Sequence, residues 1–208
     1  MNRNIALLAS DADIILFADD DIAYYDGTLA GVQEAFRHWP DADVIIFSIE
    51  YEKEGQICMK KYVPQKRMRI WNSLKYGACA IGARRASLLE KNITFHQKFG
   101  GGCDFGCGED SLFLKECFDK KLKVYTYHYV LGRSDKNSSS WFTGFNEKFY
   151  YDKGAMLSQV FPKMKFLMLP VFAARLKGSN LTYFQRLRWM LKGSKNVKSW
   201  IPYEQAEK

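Results

Sequence analysis

The sequence predicts an α/β fold, and three observations support this prediction. Two strongly apolar runs, residues 13–18 and 44–49, have the length and composition of buried strands. Segments with apolar residues at helical spacing alternate with these runs. Hydrophobic residues make up 47% of the 208-residue chain, so a sizeable core can form and a disordered protein is excluded.

The first part of the chain alternates helix and strand. Leu29, Val32 and Phe36 recur at helical spacing, and Trp39-Pro40 ends that helix. In order, the predicted elements are helix 2–10, strand 13–18, an acidic turn, helix 27–38, strand 44–49, strand 57–63 and a basic connection over 64–70.

The second part continues the alternation around two loops. The stretch 98–110, KFGGGCDFGCGED, is too rich in glycine for a regular element. The predicted elements are strand 76–83, a helix from about Arg85, the glycine-rich loop, a helix directly after it, strand 123–130 and a loop over 135–140.

The charge divides the chain near Phe161-Pro162. The net charge is +8, yet residues 1–160 hold 21 basic and 21 acidic side chains and are neutral. Residues 161–208 hold 10 basic and 2 acidic residues, and 161–178 and 181–193 have apolar-plus-basic helical patterns. The sequence therefore predicts one domain over 1–160 and a basic amphipathic helical tail over 161–208.

Five cysteines and the absence of a long apolar run limit the compartment. The cysteine number is odd and no CxxC pair occurs, which favours a reduced, cytosolic chain over a disulfide framework. No signal peptide is recognisable, and no run of about 18 apolar residues could span a bilayer.

Three consecutive aspartates, Asp19, Asp20 and Asp21, follow the apolar run 14–17. Adjacent carboxylates repel, but a hard divalent cation such as Mg²⁺ or Mn²⁺ would make the arrangement favourable. In an extended segment the first and third carboxylates point the same way. A solvated acidic turn is the alternative. A haloacid-dehalogenase phosphatase is disfavoured because Ala23 stands where its motif has Thr or Val.

A second motif pairs the glycine-rich loop with Glu109-Asp110 at a predicted helix start. Glycines let the backbone approach a ligand closely, and a helix start stabilises an ionised carboxylate that could act as a base. An ordinary acidic helix start explains the same residues.

Downstream, SSSWFTGFNEKFYYDKGA is either an acceptor-side loop and flap or a helix that packs Phe149 and Tyr150 on the sheet.

These motifs resemble a known family. RNIALLASDADIILFADDD, KYGACAIGARRASLL, FGCGEDSLFL and SSSWFTGFNEKFYYDKGA occur in the order found in GT-A-fold glycosyltransferases of glycosyltransferase family 2. The resemblance covers roughly residues 3–157. It implies a GT-A-like mixed sheet flanked by helices, with the tail as a C-terminal basic helical extension.

The resemblance also implies roles for individual residues. Asp19 and Asp21 match the metal-binding DXD positions, Asp19 and Asp20 lie on the nucleotide side, and His128 matches a third metal ligand in some members. Asp110 matches the base that deprotonates the acceptor hydroxyl, with Glu109 supporting it. Arg3 and Asn4 match a pair close to the nucleotide.

The implied activity is a metal-dependent sugar transfer, with Mn²⁺ or Mg²⁺ as cofactor and a nucleotide-sugar donor, preferably a UDP-sugar. The acceptor would be a saccharide or a lipid-linked molecule, and the setting would be bacterial cell-surface polysaccharide synthesis. A non-catalytic remnant or acceptor-binding module of the same fold is the alternative function.

One departure from the family concerns the first strands. Only 18 residues precede Asp19, whereas family members carry a nucleotide-binding part with further strands before this motif. We therefore expect an N-terminally truncated sheet with an exposed edge, which favours self-association into a homo-oligomer.

The basic tail has two interpretations. It could dock on an anionic membrane, placing a cytoplasmic protein peripherally on the inner face of the cytoplasmic membrane. Alternatively, it is a helical pair packed on the domain with a solvated basic face. No nucleic-acid recognition module is visible, so a nucleic-acid partner is not expected.

Overall fold

The computed structural model describes residues 2–53, 56–59, 65–135, 144–178 and 180–206. The chain divides into two compact units. The sheet unit comprises Met1–Phe95 and Phe113–Ser139, and the helical unit comprises His96–Leu112 and Ser140–Lys208.

The sheet unit is built on one mixed sheet. The strands of the described residues are β1 Ile14–Leu16, β2 Ile22–Tyr24, β3 Val44–Lys53, β4 Gln56–Met59, β5 Lys66–Arg67, β6 Ile81–Arg84 and β7 Val124–Asp135. Their order in the sheet is β1-β6-β3-β7-β2, with β4 also paired to β3 and β5 to β7. Strands β3 and β7 run parallel, and the other pairs are antiparallel.

Helices cover both faces of this sheet. Successive residues of β3 point to opposite faces, and apolar residues of β3 occur on both. The helices of this unit are α1 Asn2–Ala9, α2 Thr28–His38, α3 Ile70–Ser73 and α4 Arg85–Glu90, and it shares α5 Glu109–Asp119 with the helical unit. Val44 and Ile46 belong to a core formed with α1, α4 and the second part of α5, whereas Ile45 and Phe47 pack with α2.

The helical unit holds the glycine-rich loop and the helices α6 Glu147–Val160, α7 Lys165–Arg175, α8 Tyr183–Asn196 and α9 Tyr203–Ala206. Helices α6 and α8 pack closely through Gly154 and Gly193. A Cβ at Gly154 would lie 2.1 Å from the Met190 carbonyl oxygen, and one at Gly193 would lie 2.0 Å from that of Tyr151. Thr182 and Gln185 form a capping box at the start of α8.

Several predicted elements are confirmed, and others differ from the structure. The strand predicted over 76–83 starts only at Ile81, because Ala78–Ala80 form a 3-10 turn before it. The short strand β2, directly after the aspartates, was not predicted because three residues give too little alternation. The strand predicted over 57–63 corresponds to β4, and residues 60–63 lie outside the described residues.

The tail forms the two predicted helices, α7 and α8, and both belong to the helical unit. The division into 1–160 and 161–208 that the charge predicts stays a prediction. Among the described residues, none of the helices combines the length and apolarity that crossing a membrane requires. Cys79, Cys103, Cys107 and Cys117 are free thiols.

Candidate functional site

The three aspartates lie in the sheet unit, in the turn that joins β1 to β2. Buried Phe17 anchors the start of this turn by donating its N–H to the carbonyl of Ile81 at 3.0 Å. Asp19 is half-buried, and Asp20 and Asp21 are exposed. A backbone hydrogen bond thus holds the start of the turn, and the turn leaves two carboxylates exposed to solvent.

Arg3 is paired with the first aspartate. Its guanidinium forms an ion pair with Asp19 and lies 5.5 Å from the centre of the Phe95 ring. Helix α1 is held there by Asn4, whose side-chain amide donates to the Phe95 carbonyl and accepts from the Phe95 N–H, both at 2.8 Å. The structure therefore brings Arg3 and Asp19 together and uses Asn4 to position α1.

Tyr24, on β2, was missed by the sequence analysis. Burial and, after it, the charge of nearby Cys79, Asp19 and Asp21 raise the pKa of Tyr24 to about 12. The phenol therefore stays protonated at neutral pH beside the acidic turn. Tyr24 directly follows Ala23, and no motif or periodicity in the sequence distinguishes it as a site residue.

His128 lies on β7 where the pairing with β3 is irregular. Thr126 pairs with Ile46 and Val130 with Ser48, so three residues of β7 face a single residue of β3. Such bulges redirect side chains and occur often beside functional sites. The assignment of His128 as a metal ligand stays a prediction.

Oxygen ligands are available for a hard cation in the acidic turn. Across the described ranges, no group of three His, Cys, Asp or Glu side chains is placed to hold a metal. Mg²⁺ is often bound by only one or two carboxylates together with substrate phosphates. Exposed Asp21, with Asp19 beside it, fits that kind of site.

Glu109 and Asp110 lie in the helical unit, at the first turn of α5. Gly108, with φ 113°, precedes the helix in a conformation that favours glycine. Glu109 folds against Gly100, where an added Cβ would lie 3.2 Å from Oε2. The glycines thus permit the path of the loop and the placement of this carboxylate.

Two aromatic rings of the glycine-rich loop itself pack against each other and against residues outside the loop. Phe99 and Phe105 are buried and stack with their centroids 4.8 Å apart. Trp200 contacts both rings and His96, with centroid separations of 6.4, 6.4 and 5.1 Å. Residues far apart in the chain therefore fix the loop that leads to Glu109 and Asp110.

Asp152 of α6 is a buried acid that the sequence analysis did not select. It is 3% exposed, and its Oδ2 accepts a hydrogen bond from the Gly106 N–H at 3.0 Å. Lys148 lies 3.4 Å from the same oxygen. Burial is the main cause that raises the pKa of Asp152. An acid within the aromatic run FYYDKGA was the signal that could have identified it.

Of the predicted site residues, Arg3, Asn4, Asp19, Asp20, Asp21 and His128 belong to the sheet unit, and Glu109 and Asp110 to the helical unit. The predicted acceptor-side segment around Trp141 and Phe142 lies outside the described residues. For the residues that follow this segment, the alternative prediction of a helix is supported in part, since residues Glu147–Val160 form α6.

Comparison with known proteins gives a structural relationship only. No protein-family model matches the sequence, and no curated protein matches it. The fold is similar to a crystal structure of residues 1–349 of S. aureus TarS, a glycosyltransferase, with a TM-score of 0.56 and 15% identity. The match covers 96% of this chain and 61% of that chain. The predicted α/β class is confirmed, and the chain has a glycosyltransferase-like fold: a mixed sheet flanked by helices.

Proposed function

We propose that this chain is a metal-dependent glycosyltransferase of the family 2 type. It would move a sugar from a nucleotide-sugar donor, preferably a UDP-sugar, to a hydroxyl of a saccharide or lipid-linked acceptor in bacterial cell-surface polysaccharide synthesis. The observation that carries this proposal is the acidic turn: Asp19, ion-paired with Arg3, and exposed Asp21 directly follow a strand of a glycosyltransferase-like sheet.

Asp19 and Asp21 are the proposed ligands of Mg²⁺ or Mn²⁺, with Asp20 near the nucleotide. The bound ion would neutralise negative charge on the diphosphate. Arg3 orients Asp19 through its ion pair and contributes positive charge of its own. The amide of Asn4 fixes α1, and so the position of Arg3, through the Phe95 backbone.

Asp110 is the proposed general base, supported by Glu109. Its carboxylate accepts the proton of the acceptor hydroxyl while that oxygen bonds to the anomeric carbon and the bond to the diphosphate oxygen breaks. The N-terminal turn of α5 favours the ionised carboxylate that this role requires. Proton transfer to a positioned carboxylate typically contributes about 10²–10⁴-fold in rate.

The basic tail is the proposed contact with an anionic membrane face. Phe166 and Phe184 are 74% and 78% exposed, and Leu167 and Met164 are also exposed. Lys163 and Lys165 adjoin the first of these apolar groups. Exposed aromatic residues flanked by lysines are typical of helices that lie in the membrane interface.

Calorimetric titration with UDP, GDP and CMP, each with and without Mn²⁺, tests the proposed function. Metal-dependent binding of one nucleotide would support it and identify the donor class. Binding of none by a protein with a cooperative thermal transition would favour the non-catalytic alternative of the same fold.

A further inference from the structure

A cavity of about 140 Å³ lies in the sheet unit against the middle of β3. Strand β6 pairs with β3 as far as Ile46, and β4 pairs with it from Glu50 onward. The cavity is lined by residues 47–49, which lie in the interval between these two ladders. Among the described residues, neither β6 nor β4 pairs with this interval of β3, which is next to the irregular pairing of β3 with β7.

The lining of this cavity combines aromatic rings with hydroxyl groups. Tyr51 and Tyr76 provide rings, and Ser48 and Ser134 provide hydroxyls. Ser48 is buried, at 5% exposure. A sugar ring offers apolar C–H faces to aromatic side chains and hydroxyls to polar ones, which makes it a chemically matched occupant.

A lysine adds positive charge to the same lining. Lys75 is exposed, and its Nζ lies 5.2 Å from the centre of the Tyr76 ring. An ammonium group at this position can bind a negatively charged ligand group.

The cavity and the acidic turn are close to each other within the sheet unit. Cys79 and Ser134 line the cavity. Ser134 pairs across the sheet with Ile22, the residue that directly follows Asp21. A ligand in the cavity would consequently lie near the carboxylates proposed to hold the metal and diphosphate.

We infer that this cavity is a subsite for a sugar ring with a negatively charged substituent, either a carboxylate or a phosphate. The ring lies against Tyr51 and Tyr76, with hydroxyls on Ser48 and Ser134, and the charged substituent binds Lys75. This assignment rests on the proposed function, since the sugar would belong to a substrate of the transfer.

Alkylation of Cys79 measures occupancy of the cavity directly. The full chain is treated with iodoacetamide, and the modification of each cysteine peptide is followed by mass spectrometry. The probes are glucuronate, glucose 6-phosphate, neutral glucose and inorganic phosphate. At least one of the two anionic sugars should slow alkylation of Cys79 at about fivefold lower concentration than glucose. Half-buried Cys103 in the helical unit is the internal reference and should not respond.

Comparing glucuronate with glucose 6-phosphate identifies the charged substituent. Neutral glucose tests the role of the charge, and inorganic phosphate tests the role of the sugar ring. Equal protection by glucose would remove the role of charge, and equal protection by inorganic phosphate would remove the ring. Absence of protection by any sugar at its highest soluble concentration would overturn the subsite. None of these probes contains a nucleotide, so the outcome is independent of the nucleotide titration that tests the proposed function.

Lys75→Gln tests the cation separately. The variant should keep the protection by neutral glucose and lose the preference for the anionic sugar. Lys91→Gln is the matched control, because Lys91 is ion-paired with Glu90 on α4 and does not line the cavity. Both lysines are on the surface, and circular dichroism melts should show both variants folded. An unchanged preference in Lys75→Gln would remove Lys75 from the site.

Discussion

The Asp152 carboxylate accepts a hydrogen bond from the backbone N–H of Gly106 at 3.0 Å, which ties helix α6 to the glycine-rich loop. The loop then leads within three residues to Glu109, where α5 begins. Asp152 is buried, and among the described residues its second oxygen, Oδ1, has no hydrogen-bond partner. A partly satisfied buried acid at this position should make both stability and loop geometry sensitive to its charge.

Asp152 should make stability depend on pH. Burial raises the pKa of Asp152 above its ordinary value of 3.8, so the folded protein holds this proton more tightly than the unfolded protein does. The contribution of this group to stability should therefore fall as the pH rises from below 3.8 through the raised pKa. Relative to Asp152→Asn, the wild type should lose unfolding free energy over that rise. Urea denaturation of both proteins at several pH values measures the difference, and a constant difference would contradict it.

Asp152→Ala should behave differently from Asp152→Asn. The alanine variant removes the acceptor of the Gly106 N–H, and leaving that donor unsatisfied should destabilise the protein by about 1–3 kcal/mol. The asparagine variant retains a side-chain oxygen for the same N–H. Urea denaturation at neutral pH compares the two, and equal stability would show that the hydrogen bond contributes little.

Asp21→Asn should abolish metal-dependent nucleotide binding and leave the thermal transition nearly unchanged, because Asp21 is exposed. Loss of one carboxylate removes both a ligand and a negative charge from a site with few protein ligands. Asp26→Asn, at another exposed aspartate shortly after β2, is the control and should bind as the wild type does. Calorimetry with Mn²⁺ measures both variants, and unchanged binding by Asp21→Asn would refute the metal assignment.

Asp110→Asn should leave donor binding intact and lower the transfer rate by at least about 10²-fold, as expected when a general base is lost. Asp119→Asn changes an aspartate at the opposite end of the same helix and should transfer normally. Single-turnover transfer with saturating donor separates chemistry from binding. Near-normal transfer by Asp110→Asn would exclude Asp110 from this role.

Gly193→Ala should destabilise the helical unit, although alanine is ordinarily the better helix former. An added Cβ would lie 2.0 Å from the Tyr151 carbonyl oxygen, so α6 and α8 would have to separate. We expect a loss of about 1–3 kcal/mol or more. Arg188→Ala, at an exposed position of α8, is the control and should change stability little. Thermal denaturation followed by circular dichroism checks both, and equal melting temperatures would contradict the close packing.

Phe166→Ser should weaken binding to anionic vesicles if α7 enters the membrane interface, because a 74% exposed ring would lose its apolar contact with lipid. Leu29→Ser is the matched control, since Leu29 is 72% exposed but lies in the sheet unit. Co-sedimentation with phosphatidylglycerol and phosphatidylcholine vesicles measures the effect. Absence of binding to either vesicle by the wild type would favour the alternative of a solvated basic face.

Periodicity and composition predicted the elements whose own residues carry a strong pattern. Helix α2 has its apolar stripe, β3 its apolar run and α5 its start after a glycine-rich loop, and each is confirmed. Short elements were missed because neighbours outside the segment stabilise them. Strand β2 has only three residues and depends on its pairing with β7.

The sequence by itself determined the α/β class, the acidic turn after β1 and the acidic start of α5, because these depend on local patterns of apolar, acidic and glycine residues. Only the tertiary structure decided which distant residues meet: Arg3 with Asp19, Asp152 with Gly106, and Lys75 with the residues of the β3 cavity. Such pairs lie far apart in the chain, and the packing of whole helices and strands brings them into contact. No local pattern in a single sequence records that packing.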